Sequence, residues 1–124
     1  MLEDKEPIAT VAVRDLAVAK RFYADVLRLK LGEESSEVLT FVAGPYQLFV
    51  YRSQFAGTNQ ATSVTWAVGS EVDAIVAELG RRGVVFEHYD MSPAKLEGDL
   101  HVFDGFKVAW FKDPDGNILS INGM

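Results

Sequence analysis

Few residues in this chain can move protons or hold ions, and they are scattered. Two histidines, His88 and His101, fall in a stretch that also carries Asp90, Asp99 and Asp104, while Arg52 stands on a separate segment. A His–Asp pair facing a cleft could act as a general base, because imidazole titrates near neutrality. Arg52 could then stabilise a developing oxyanion. His101, His88 and Arg52 are therefore the candidates for acid–base catalysis, set against surface or hydrogen-bonded histidine as the ordinary alternative. They make a poor metal set, since neither a fixed spacing nor a shared helix face joins the histidines. The chain has no cysteine, which removes disulfides, thiolate metal sites and cysteine nucleophiles.

The elements that would position these groups are bounded by composition. Hydrophobic residues make up 48% of 124 residues, with 8 Phe, 4 Tyr and 2 Trp, enough to close a core in a domain of this size. The net charge of −6 leaves no basic footprint for nucleic acid, whose phosphates need clustered Lys and Arg. No apolar run approaches the roughly 20 residues that span a bilayer. The opening Met1–Pro7 is charged, so neither a signal peptide nor a membrane partner is expected, and a cytoplasmic setting is.

From Pro7 the β-branched run Ile8–Val13 predicts a strand. Asp15 stands at an N-cap position, and Leu16, Ala19, Tyr23 and Val26/Leu27 follow at helical spacing, ending before Gly32. Lys30–Ser35, Val38–Ala43 and Tyr46–Arg52 are strand candidates, the last two joined by Gly44-Pro45. After the polar linker Gln54–Gln60 the pattern recurs. Thr62–Val68 is a strand, and Ser70–Asp73 resembles a capping box before the apolar face Val72, Ile75, Val76 and Leu79. The strands Val84–Tyr89, Gly105–Lys112 and Ile118–Asn122 close the half. An offset of 56 sets Ile8 on Val64 and Leu16 on Val72; an offset of 70 sets Phe41 on Phe111 and Leu48 on Ile118. The difference is an insertion in the second half, placed at the polar segment 90–104. The expectation is an α+β fold of two βαβββ modules, 7–53 and 62–124, forming one domain over 1–124 around a shared cleft.

The segments Val11–Leu16, Arg21-Phe22-Tyr23 and Val26-Leu27 resemble the opening strand and helix of the glyoxalase / bleomycin-resistance / dioxygenase superfamily, also called vicinal oxygen chelate. Trp110–Ile118, with its Asp113-Pro114-Asp115-Gly116 turn, is similar to that family's closing signature. Turn chemistry alone accounts for Asp113 and Asp115. The resemblance implies four places where metal-dependent members hold a divalent ion with His, Gln or Glu. Carried onto this chain they are Ile8, Val50, Val64 and Ser120, which supply no ligand set for a hard cation. No metal and no other cofactor is therefore expected.

If those four positions face the cleft, strand alternation adds Thr10, Ala12, Leu48, Arg52, Trp66, Val68, Ile118 and Asn122. The expected ligand-binding set is Thr10, Leu48, Val50, Arg52, Trp66, Ser120 and Asn122, with Trp66 read equally well as core filling. Such a cleft suits a small molecule, cationic or aromatic. The resemblance implies a metal-free binding protein similar to those that sequester bleomycin-type antibiotics, and a homodimer. The alternative is a diverged lyase or isomerase acting on a small carbonyl compound; an assembly module whose cleft a partner closes is the third reading.

Overall fold

In the computed structural model, which describes all 124 residues, ten strands form two sheets, each carrying a helix on one face. The first module runs β1 (Ala9–Val13), α1 (Leu16–Lys20), β2 (Lys30–Glu34), β3 (Val38–Ala43) and β4 (Tyr46–Arg52). Its sheet order is β1-β4-β3-β2, with β1 parallel to β4. The second runs β5 (Thr62–Ala67), α2 (Val72–Arg81), β6 (Phe86–Glu87), β7 (Lys95–Glu97), β8 (Leu100–Phe103), β9 (Phe106–Lys112) and β10 (Ile118–Gly123). Its path is β5-β10-β9-β8-β7, and β6 also pairs with β9. The paired βαβββ architecture is thus present.

The helix signals hold at the start and change further on. The Asp15 carboxylate accepts from the amides of Ala17 at 2.8 Å and Val18 at 3.2 Å, as an N-cap should. After Lys20, however, the helix continues as a π-helical stretch, Arg21–Val26. Ser70 gives no side-chain cap; a 3-10 turn at Gly69–Glu71 leads into α2 instead.

The insertion is not a polar loop. Residues 95–103 form the β7–β8 hairpin, and β8 pairs with β9 at Phe106–Val108 while β6 pairs with β9 at Trp110–Phe111. Two short strands therefore share one edge of β9, where the first module uses a single strand. Unpaired backbone on that edge would otherwise be left to solvent.

One core joins the modules through their helix-bearing faces. Val11, Val13, Tyr23, Leu39, Phe41 and Val50 of the first lie in the same apolar cluster as Val72, Phe111, Leu119 and Ile121 of the second. The stretch Arg21–Val26 after α1 makes the bridge: Phe22 packs 6.4 Å from Phe111 of the second module, while Tyr23 packs 5.8 Å from Phe41 of its own, centroid to centroid. Fully burying one such aromatic or aliphatic side chain contributes about 1.5–3 kcal/mol. The helix-bearing faces of the two sheets meet in this one cluster.

Strand register puts six of the expected cleft residues, Leu48, Val50, Arg52, Val64, Trp66 and Val68, on the helix-bearing side. Leu48 and Val50 pair with Phe41 and Leu39 and share the buried face with Val11 and Val13. Arg52 has the same parity; it sits beside the start of α1 and pairs with Glu37 at 2.7 Å. Trp66 lies on the α2 side of β5, packed against the core, and Val64 packs there too. The physical reason is phase: side chains alternate with period two, so a shift of one residue moves a whole strand to the other face. In β5 the pairing to β10 slips between Ile118 and Leu119, which a count back from the turn does not reveal.

Candidate functional site

The open face of the second sheet carries the groove. Ser120 and Asn122 on β10 stand opposite Trp110 and Val108 on β9, while Leu119, Ile121, Ala109 and Phe111 point to the core. Ser120 is buried and shares a 2.6 Å hydrogen bond with Thr65 of β5. Thr10 occupies the open face of β1, and its hydroxyl donates to the Ile8 carbonyl at 3.1 Å. Of the expected binding set, Thr10, Ser120 and Asn122 therefore share the helix-free side. Leu48, Val50, Arg52 and Trp66 do not.

Further along that face, beneath the linker, lies a groove of about 740 Å³. Trp110, Tyr89, Met91 and Ile118 give it apolar walls, and Glu87 and Lys112 form an ion pair of 3.3 Å within it. The Trp110 indole N–H donates to the Thr62 hydroxyl at 3.2 Å, fixing the ring. Behind Trp110 stands His101, 4.9 Å between centroids and nearly perpendicular, with Tyr89 5.5 Å from the indole. Sequence reasoning missed Trp110, Glu87 and Lys112 as groove residues. The signal was available, because Trp110 lies directly across from Ser120 once the β9–β10 hairpin is put in register.

The Asp113–Asn117 turn positions one side of the groove. The buried Asp113 carboxylate accepts from the Asn117 side chain at 2.8 Å and from the amides of Asn117 and Asp115 at 2.9 and 3.0 Å. Tyr23 of the first module donates to it at 2.8 Å. Asn117 in turn donates to the Ala12 carbonyl at 2.7 Å and accepts from the Gly57 amide at 3.3 Å. What reads as a tight turn is also the clamp that ties β1, the linker and the second sheet together. Burial, with the Asp113 carboxylate facing it, holds the Tyr23 phenol well above its ordinary pKa, so it stays a neutral donor.

The catalytic candidates are not assembled. His101 Nε2 accepts from the Tyr89 amide at 2.9 Å and lies 3.2 Å from the Tyr89 carbonyl, and Nδ1 lies 3.3 Å from the Val108 carbonyl. Both ring nitrogens are thus engaged by backbone, and the ring is 4% exposed. His88 is exposed and pairs with Asp99 at 2.8 Å. Arg52 belongs to the other sheet and the opposite face.

A divalent ion does not fit the residues present. No three His, Asp or Glu side chains come together anywhere in the chain. Of the four positions carried over from the family pattern, Val50 is fully buried, Val64 packs on the core, Ile8 is aliphatic, and Ser120 offers one hydroxyl already shared with Thr65. Neutral hydroxyls without carboxylate or imidazole make a weak donor set for such an ion.

No protein-family model matches the chain, and no curated protein sequence is similar to it. Solved structures do match. Lactoylglutathione lyase from Agrobacterium tumefaciens superposes with a TM-score of 0.74 at 18% identity, over 99% of this chain and 96% of that one. A glyoxalase/bleomycin resistance protein/dioxygenase from Alicyclobacillus acidocaldarius gives 0.72 at 20% identity, over 97% and 91%. The fosfomycin resistance protein FosX from Listeria monocytogenes, in complex with Mn(II) and sulfate, gives 0.71 at 16% identity, over 99% and 91%. At these identities the likeness is one of fold, and it spans both modules.

Proposed function

Starting from a chain that has the fold of the glyoxalase/bleomycin-resistance/dioxygenase superfamily, we propose that it binds a small planar molecule in the groove over Trp110 and Tyr89, without a resident metal ion. The supporting observation is the groove itself: two aromatic side chains, Met91 and Ile118 beside a Glu87–Lys112 pair, on the sheet face that no helix covers. Its volume is that of a small-molecule pocket. Apolar walls with few polar groups fit an aromatic ring whose substituents reach the ion pair. A cationic substituent gains from Glu87, from the indole at about 0.5–2 kcal/mol, and from the net charge of −6.

Stoichiometric capture is the activity this groove supports, since no set of acid–base groups is assembled in it. The lyase or isomerase reading has a lactoylglutathione lyase among the neighbours of like fold, but His101, His88 and Arg52 stand apart. A cytoplasmic homodimer is the setting we assign, the dimer on the likeness of fold alone and the cytoplasm on the acidic, cysteine-free composition.

Trp110 supplies the test. In a Trp66→Phe variant it is the single indole, and titration with bleomycin-like and other cationic aromatic compounds should quench it at one equivalent per chain. Trp110→Leu, read by calorimetry, should weaken binding about tenfold or more. Silence across the panel overturns the proposal.

A further inference from the structure

On the opposite side of the second sheet, away from the groove, a separate cavity of about 160 Å³ lies between α2, β5 and the segment that follows the first helix. Its eight lining residues are all hydrophobic. Phe111, Ile121 and Leu79 form the buried floor, while Leu27, Leu29 and Trp66 stand half-buried at the mouth. Two backbone irregularities converge there. The π-helical stretch Arg21–Val26 ends against Leu27, and Arg28 adopts φ +60°, unusual for a residue with a side chain. Leu27 and Leu29, on either side of it, both pack toward the same apolar cluster. A regular helix continued through this point would not place both leucines on one wall.

We propose that this cavity is a second binding site, for a neutral, apolar molecule about the size of one aromatic ring. Volume and chemistry both select that occupant. An enclosed cavity of about 150 Å³ lined by Leu, Ile and Phe takes up benzene or xenon; this one has a similar volume and lining and is open at one side, which gives a ligand its way in. No lining side chain other than the Trp66 indole has a polar atom, so water finds no partners and a charged or hydroxylated ligand is left unpaired. The lining is too small for a protein partner, whose interface buries on the order of 800 Å² per side. The site is independent of the groove: Phe111 and Ile121 face the core side of the strands on which Trp110 and Ser120 face the other.

Toluene titrated into the full chain, followed by methyl NMR, tests the proposal without altering the protein. The expected result is saturable shifts of Leu27, Leu29, Leu79 and Ile121 methyls, with Ile118 and Met91 of the groove unmoved. Phenol should bind roughly tenfold more weakly than toluene, because its hydroxyl is buried without a partner. Ile75→Phe fills the cavity and should abolish the shifts; Val68→Leu, a milder filling, serves where the first variant does not fold. Absence of saturation with toluene overturns the proposal, as does saturation that moves only the groove methyls or persists unchanged in a folded, filled variant.

Discussion

The Tyr23 phenol donates a 2.8 Å hydrogen bond to the buried carboxylate of Asp113, a residue 90 positions later in the chain. The bond spans the two modules, and every other buried side-chain polar atom likewise has a partner. Removing the donor in Tyr23→Phe leaves Asp113 to Asn117 and two amides. A loss of about 1–3 kcal/mol is expected, read as a lower urea midpoint with an unchanged slope.

The same contact sets a pH dependence. The folded-state pKa of Tyr23 lies above the ordinary value of 10.0, so its contribution is fully present below pH 10. Above that, the unfolded chain releases the phenolic proton while the folded chain keeps it. Stability should therefore fall with rising pH, by up to about 1.4 kcal/mol per pH unit. Urea titrations between pH 8 and 11 should show this slope in the parent protein and a shallower one in Tyr23→Phe.

Gly57 holds the linker against the closing turn. Its φ is +70°, and a Cβ built there would collide with the Asp115 carbonyl oxygen. Gly57→Ala should cost about 1–3 kcal/mol and detach the linker from the groove's edge. Faster cleavage within 54–61 under limited proteolysis, together with weaker ligand binding, is the expected outcome.

His101 stands behind Trp110, with both ring nitrogens facing backbone groups. His101→Leu keeps the volume roughly but leaves the Tyr89 amide and the Val108 carbonyl without their ring partners. We expect a stability loss of about 1–3 kcal/mol and faster hydrogen exchange at the Tyr89 amide. His88→Ala breaks only an exposed pair and should change stability by less than about 1 kcal/mol.

Metal removal should change nothing. Dialysis against a chelator is expected to leave both the melting temperature and the affinity for a groove ligand unaltered, since any ion bound only by the native state would stabilise it. A drop in melting temperature, restored by added Mn(II) or Zn(II), would contradict the metal-free reading.

Local signals carried much of this protein. The repeated β-α-β-β-β order, the Asp15 cap, the turn at Asp113–Gly116 and the separation of two apolar strand faces all follow from periodicity and turn chemistry within a few residues. Tertiary structure decided the phase. Leu48, Val50 and Arg52 have the alternation of a half-buried strand whichever way it faces, and only packing under α1 chose the side. Trp66 was the aromatic expected in the cleft and Trp110 was not, yet the pairing of β5 on β10 puts Trp66 on the α2 side, while the β9–β10 register puts Trp110 across from Ser120 in the groove. The Tyr23–Asp113 clamp and the polar insertion's pairing on the edge of β9 depend on chain segments brought together by the shared core. No local preference specifies such partners, because the energy that selects them arises only when both faces are buried at once.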